Sequence, residues 1–161
     1  MHMIDFEINI ADGKVKLDNK VLLIQREDEF IVSEPYKYLE SINKVQRLIP
    51  YHYTVNAVLW FSKEFELIVR PLCFSNLPFM MQLIYKEGEY YKSINDWNKV
   101  SNIDMLNKEV DFLYRWVSEV YDLGKPDEKE KHSVTWRMEW GDITICYDIE
   151  SFNCGVYLTW S

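Results

Sequence analysis

His52 and His132 are the side chains best suited to bind a metal ion or to transfer protons near neutral pH. Neither has a second histidine at HxH, HxxxH or HExxH spacing, which a metal site built on one strand or one helix would need. The three cysteines, Cys73, Cys146 and Cys154, have no CxxC spacing, so they predict neither a zinc site nor a set of disulfides. We therefore expect no metal site and no bound cofactor.

Motifs for nucleophilic and nucleotide chemistry do not occur in the chain. There is no Gly-x-Ser-x-Gly elbow, no glycine-rich dinucleotide fingerprint and no phosphate-binding loop. Two pairs of carboxylates, Glu87 with Glu89 and Asp148 with Glu150, have the residue types that acid–base hydrolysis needs. Both pairs fall at predicted turns, where acids usually form the turn and face water. The sequence therefore indicates that the protein is not an enzyme.

The charge is acidic and unevenly distributed. The 161 residues carry a formal net charge of −8, and residues 81–161 hold 15 acidic against 9 basic side chains. Such a surface repels nucleic acids and anionic membranes, and it favours a basic partner or simple solubility. The unpaired thiols fit a reducing cytoplasm, and Asp5 and Glu7 leave no apolar signal segment at the N-terminus. We expect a cytoplasmic protein that does not enter membranes.

Apolar periodicity predicts two main helices, at about 34–48 and 104–123. Apolar residues recur at three- and four-residue spacing in both segments, and Pro50 and Gly124 are placed to end them. Alternating segments and turn signals predict the remaining elements as strands. These strands are expected at 4–10, 15–17, 21–25, 30–32, 51–61, 67–74, 79–86 and 90–92.

The last thirty residues alternate most clearly. Val134 to Trp140, Ile143 to Ile149 and Val156 to Trp160 each place apolar side chains on one face, as in a three-strand antiparallel meander. Such a face needs a cover, and the helix at 104–123 is the natural candidate. The sequence therefore predicts one α+β domain over 1–161, with a mostly antiparallel sheet packed against two main helices.

Aromatic residues are unusually frequent, with six Trp, eleven Tyr and eight Phe. Many must be buried, but tyrosines at polar positions are expected to be partly exposed. Exposed tyrosine beside acids is typical of protein-binding surfaces, while the alternative is that these rings cap the edges of the core. The tyrosines in question are Tyr36, Tyr38, Tyr90, Tyr91 and Tyr157.

In size, acidity, compact α+β layout and lack of catalytic motifs, the chain resembles the immunity proteins that bacteria pair with polymorphic or contact-dependent toxins. The resemblance implies a binding protein that occludes a basic toxin domain, such as a nuclease, with carboxylates in place of substrate phosphates. The expected contact residues lie on hairpin tips and loops, where a rigid scaffold presents such groups. They are Glu87, Glu89, Tyr90, Tyr91, Asp127, Glu128, Glu130, Asp142, Asp148 and Glu150.

A second interpretation is a small-molecule-binding domain or a degenerate enzyme. Its aromatic residues would line a pocket between a curved sheet and a helix instead of spreading over an outer surface. Exposed strand edges near Pro71 would allow a dimer, so both a monomer and a dimer are compatible with the sequence.

Overall fold

The computed structural model describes residues 3–22, 27–49, 52–71 and 79–161. Within these residues the chain forms eleven strands and five helices, which confirms the α+β class. The strands are β1 (Ile4–Ile8), β2 (Val15–Leu17), β3 (Lys20–Val21), β4 (Val45–Ile49), β5 (His52–Trp60), β6 (Lys63–Arg70), β7 (Met80–Tyr85), β8 (Glu128–Lys129), β9 (Ser133–Arg137), β10 (Gly141–Tyr147) and β11 (Cys154–Trp160). The helices are α1 (Glu27–Val32), α2 (Glu34–Ser41), α3 (Glu89–Lys92), α4 (Trp97–Val100) and α5 (Ile103–Tyr121).

The strands pair into one mixed sheet in the order β3-β2-β1-β5-β6-β7-β11-β10-β9-β8. Every described pairing is antiparallel except that of β1 with β5. One edge of β5 is shared, because β4 pairs with its first half and β1 pairs with it only at Val58 and Leu59. A bulge between Val55 and Val58 falls where the two partners change over.

Helix α5 covers the meander, as its sequence predicts. The buried side chains of α5 include Leu106, Val110, Leu113 and Val117, and the helix contacts β10 and β11. Its N-cap is Asn102, whose side chain accepts a hydrogen bond from the backbone of the first turn. The apolar stripe thus buries one face of the helix against the inner face of the sheet.

Two tryptophan side chains tie the β1–β2 hairpin to the far end of the meander. The indole N–H of Trp140 donates to the Ile10 carbonyl at 2.7 Å, and that of Trp160 donates to the Gly13 carbonyl at 2.9 Å. A Cβ atom on Gly13 would lie 2.5 Å from ring carbons of Trp140, and its φ of +73° favours glycine. Side-chain contacts outside the sheet's own hydrogen bonds therefore hold together residues that are 130 and 147 positions apart.

Replacing Trp160 with phenylalanine is expected to lower the free energy of unfolding by about 1–2 kcal/mol. The Gly13 carbonyl would lose its partner, and the ring contact of Trp160 with Phe79 would be reduced. Urea denaturation measures the change, with Trp97→Phe as the control because Trp97 is 63% exposed. Equal unfolding free energies for the two variants would contradict this account of the hairpin.

The predicted helix at 34–48 is wrong in its second half. Helix α2 ends at Ser41, Asn43 takes a left-handed φ of 58°, and residues Val45–Ile49 form β4. The N–H of Lys44 donates to the Leu39 carbonyl, which closes the helix end in the manner of a Schellman motif. Apolar residues at 39, 42, 45 and 49 fit a helical period, but pairing with β5 decides the conformation of the last two.

Three other predictions need correction. Residues 30–32 belong to helix α1 and residues 90–92 to helix α3, so neither segment is a strand. The helix predicted at 104–123 spans Ile103–Tyr121 and ends at Asp122, which already has a left-handed φ of 51° before Gly124 is reached. Residues 23–25, 51 and 72–74 of the predicted strands, with Cys73 among them, lie outside the described residues.

Candidate functional site

The acidic residues predicted as contacts fall into two groups at opposite ends of the sheet. One group surrounds Arg137. Its backbone N–H donates to Asp127 at 2.7 Å, its guanidinium lies 2.8 Å from a Glu128 oxygen, and Asp142 faces it across the β9–β10 pair. A basic side chain therefore partly neutralises this group.

The second group lies at the other end, on the turns after β7, β8 and β10. The antiparallel registers bring these turns to the same end as the β5–β6 turn. The carboxylate of Asp148 accepts hydrogen bonds from the Glu150 N–H and the Ser151 hydroxyl, which hold its pKa below the usual range. The acids of this group are Glu87, Glu89, Glu130, Asp148 and Glu150, and all five are exposed.

The two predicted contact tyrosines differ. Tyr90 is only 2% exposed, so the prediction that it lies on the surface is wrong; burial raises its pKa to about 12. Tyr90 is the buried residue of helix α3, which forms where the sequence predicts a strand. Tyr91 is half-buried and its hydroxyl donates to Glu66. Tyr36, Tyr38 and Tyr157 are half-buried as well.

A set of aromatic rings, which the sequence did not single out, runs along one side of α5, and the buried ring of Phe65 joins its Tyr85–Phe112 pair to Trp116. Its members are Phe61, Tyr85, Phe112, Trp116 and Tyr121, here named the aromatic ridge. Tyr85 and Phe112 stack with centroids 5.1 Å apart, and Phe61 meets Trp116 at 6.2 Å and Tyr121 at 5.1 Å. Phe61 is 51% exposed and Phe112 is 39% exposed, so the ridge presents ring surface to solvent.

Phe61 occupies a strained backbone position. Trp60 pairs with Lys63, so Phe61 and Ser62 form a two-residue hairpin turn, and their φ angles are 49° and 67°. Turns of this kind strongly favour Asn and Gly, and a bulky residue at positive φ is an outlier. Backbone strain of this kind clusters at functional sites, so Phe61 is a candidate functional residue. The signal in the sequence is an aromatic residue in a tight turn. Residues 51–61 are predicted as a strand that includes Phe61, so this turn is missed.

A groove of about 470 Å³ opens beside the ridge. It forms because β1 separates from β5 after Leu59, and Asp5, Glu7 and Phe61 are on its rim. At its base the Tyr121 hydroxyl accepts a hydrogen bond from the Trp60 indole at 2.7 Å. Burial raises the pKa of Tyr121 well above its usual range, with a smaller effect of Glu7 in the same direction.

A buried carboxyl group lies at the opposite end of the ridge. Glu109 is 7% exposed, and burial together with the charge of Glu89 raises its pKa from 4.5 to about 7. Its carboxylate approaches the backbone of Gly88 so closely that a Cβ atom there would lie 2.5 Å from Oε1. Glu109 also contributes to the raised pKa of Tyr85, after burial and Glu87. The end of the ridge at Tyr85 therefore carries a group that titrates near neutral pH.

Metal binding and thiol chemistry have little support in the described residues. In that part of the chain no three His, Cys, Asp or Glu side chains lie where they could hold a metal ion, and none of the helices could span a membrane. Cys146 and Cys154 are free thiols whose pKa values are raised by burial, that of Cys146 to about 11. Such thiols are poor nucleophiles at neutral pH.

No protein-family model, no curated protein and no solved structure matches this chain. The features that bear on function are therefore the aromatic ridge, the groove and the acids around them.

Proposed function

We propose that this protein is a cytoplasmic inhibitor of the immunity type, which binds and neutralises a basic toxin domain through the aromatic ridge. The observation that carries the proposal is Phe61, a half-exposed ring kept on left-handed backbone beside Trp116 and Tyr121 in the ridge. Aromatic residues, phenylalanine among them, are enriched at protein interfaces relative to the rest of the surface. Phe61 packs on Trp116 and Tyr121, so little freedom would be lost on binding.

The charges near the ridge favour a basic partner. Asp5 and Glu7 are on the groove at the Tyr121 end, and at the other end the charge of Glu87 contributes, after burial, to the raised pKa of Tyr85. The five exposed acids of the second group lie on turns at the same end of the sheet as the Phe61 turn. Within the ridge, Lys63 lies 5.7 Å from the centres of two rings, where its charge is used in cation–π contacts.

Affinity capture from the native host tests the proposal. The tagged protein should retain a basic protein that is toxic when expressed alone and harmless when expressed with this chain. A gene for such a partner next to this chain's gene would strengthen the case. Retention of no basic protein, or of one whose toxicity this chain does not suppress, would contradict the proposal.

Neutralising four of the five acids of the second group is expected to slow association with that partner about tenfold at low salt. The variant is Glu87→Gln, Glu89→Gln, Asp148→Asn and Glu150→Gln together, and it should also flatten the dependence of the rate on ionic strength. The control neutralises the Arg137 group, as Asp127→Asn, Glu128→Gln and Asp142→Asn. Association rates measured by stopped flow at several salt concentrations compare the two variants. An equal decrease in rate for each charge removed would show that only the net charge of the protein matters.

A small-molecule-binding domain is the alternative, and the groove is the observation in its favour, since its volume is within the usual range for ligands. Two of its aromatic residues, Phe6 and Trp60, are only 2% and 1% exposed. The ring surface open to a ligand therefore comes from Phe61 and Tyr121, which belong to the ridge. This favours a protein partner that uses the groove together with the ridge.

A further inference from the structure

The groove combines two kinds of group that recognise a cation. Asp5 and Glu7 stand at alternate positions of β1, both exposed and both on the groove. Glu7 faces Lys16 across the β1–β2 pair, yet among the described residues no basic side chain lies within 4 Å of either carboxylate. Their charges are therefore available to a cation that enters the groove.

The aromatic side of the groove fits a flat cation. The rings of Phe61 and Tyr121 are nearly perpendicular, at 77°, and Phe61 offers a half-exposed surface on which a planar group can stack. The Tyr121 hydroxyl already accepts a hydrogen bond from the Trp60 indole, and the carboxylates and the ring faces are the groups that can recognise a cation. A guanidinium stacks on aromatic faces and binds carboxylates with two parallel hydrogen bonds, whereas an ammonium does neither as well.

We infer that the groove is a receptor site for an arginine side chain. The inference deepens the proposed function, because the arginine would belong to the basic partner that the ridge binds. The partner's arginine would stack on Phe61 and form hydrogen bonds with Asp5 or Glu7, next to the hot-spot ring. Specificity for arginine would then come from β1 and the β5–β6 turn together.

The test is an NMR titration of the ¹⁵N-labelled protein with N-acetyl-argininamide. The reporter is the indole N–H of Trp60, which donates to the Tyr121 hydroxyl at the base of the groove. We expect a saturable shift with a millimolar dissociation constant, as is usual for a single side chain. N-acetyl-lysinamide should bind at least about threefold more weakly, and the neutral N-acetyl-citrullinamide should not bind measurably.

Variants locate the response. Asp5→Asn combined with Glu7→Gln should weaken arginine binding about fivefold or more. Glu40→Gln, which removes an exposed carboxylate on α2, should leave it unchanged. Lysine binding as strong as arginine binding, any saturable response to citrulline, or no response to arginine overturns the inference.

The outcomes separate this inference from the proposed function. If arginine fails to bind but a basic partner still binds through Phe61, the groove assignment falls and the proposed function stands. If arginine binds in the groove but no basic partner is captured, the proposed function falls and the groove assignment stands.

Discussion

Replacing Glu109 with glutamine is expected to stabilise the protein by about 3 kcal/mol at pH 8 and to change its stability little near pH 4. The cause is the burial of Glu109, which together with Glu89 raises its pKa to about 7 against 4.5 for an ordinary glutamate. Between these two values the folded state keeps a proton that the unfolded state has lost. The stability contributed by protonation is therefore complete below pH 4.5 and is lost as the pH rises to 7 and beyond.

Urea denaturation at pH 4, 6 and 8 measures the effect. The wild-type free energy of unfolding should fall across this range, and the Glu109→Gln profile should be flatter, because glutamine keeps the shape but cannot ionise. Glu119→Gln is the matched control, since Glu119 is exposed on the same helix. Tyr85, Tyr90 and Cys154 also interact with Glu109, but their pKa values are raised away from this range. A stabilisation that is the same at all three pH values would show that Glu109 does not titrate as described.

The charge of Glu89 is the smaller of the two causes. Glu89→Gln should therefore lower the pKa of Glu109 only in part, and the loss of stability with rising pH should be smaller than in the wild type and complete at a lower pH. An unchanged pH profile would mean that burial alone sets the pKa.

The elements that are predictable from sequence have local and consistent signals. Helix α5 has an apolar stripe over five turns with an Asn cap, and the last three strands alternate without interruption. The helix prediction is wrong for residues 42–48 because their apolar spacing fits a helix and a strand equally, and pairing with β5 is a non-local effect. A local sequence pattern therefore predicts those helices and strands that bury one apolar face against the core.

Of the candidate site, only the exposed acidic residues could be predicted from the sequence. Acids at turns are exposed for local reasons, so the five acids of the second group were found. The aromatic ridge joins Phe61 with Tyr121, sixty positions apart, and only the packing of α5 beside the β5–β6 turn brings the two rings together. The exposure predicted for Tyr90 is wrong because residues 90–92 belong to helix α3, which buries this ring and leaves Tyr91 half-buried.

Replacing Phe61 with asparagine is expected to weaken binding of the basic partner at least about thirtyfold, the loss typical of a hot-spot residue. The same change should alter the free energy of unfolding by less than about 1 kcal/mol. Asparagine tolerates a left-handed backbone, so relief of strain of about 1 kcal/mol offsets the lost ring contacts with Trp116 and Tyr121. Isothermal titration calorimetry and urea denaturation measure the two quantities on the same preparations.

The neighbouring residue of the turn provides the control that separates strain from contact. Ser62 has the same left-handed backbone, with a φ of 67°, but carries no ring. Ser62→Gly should therefore stabilise the protein by about 1 kcal/mol and leave the partner's affinity unchanged. If Phe61→Asn binds as tightly as the wild type, the ridge is not the interface. If it unfolds several kcal/mol more easily, Phe61 is retained for packing, and its strained backbone has no bearing on binding.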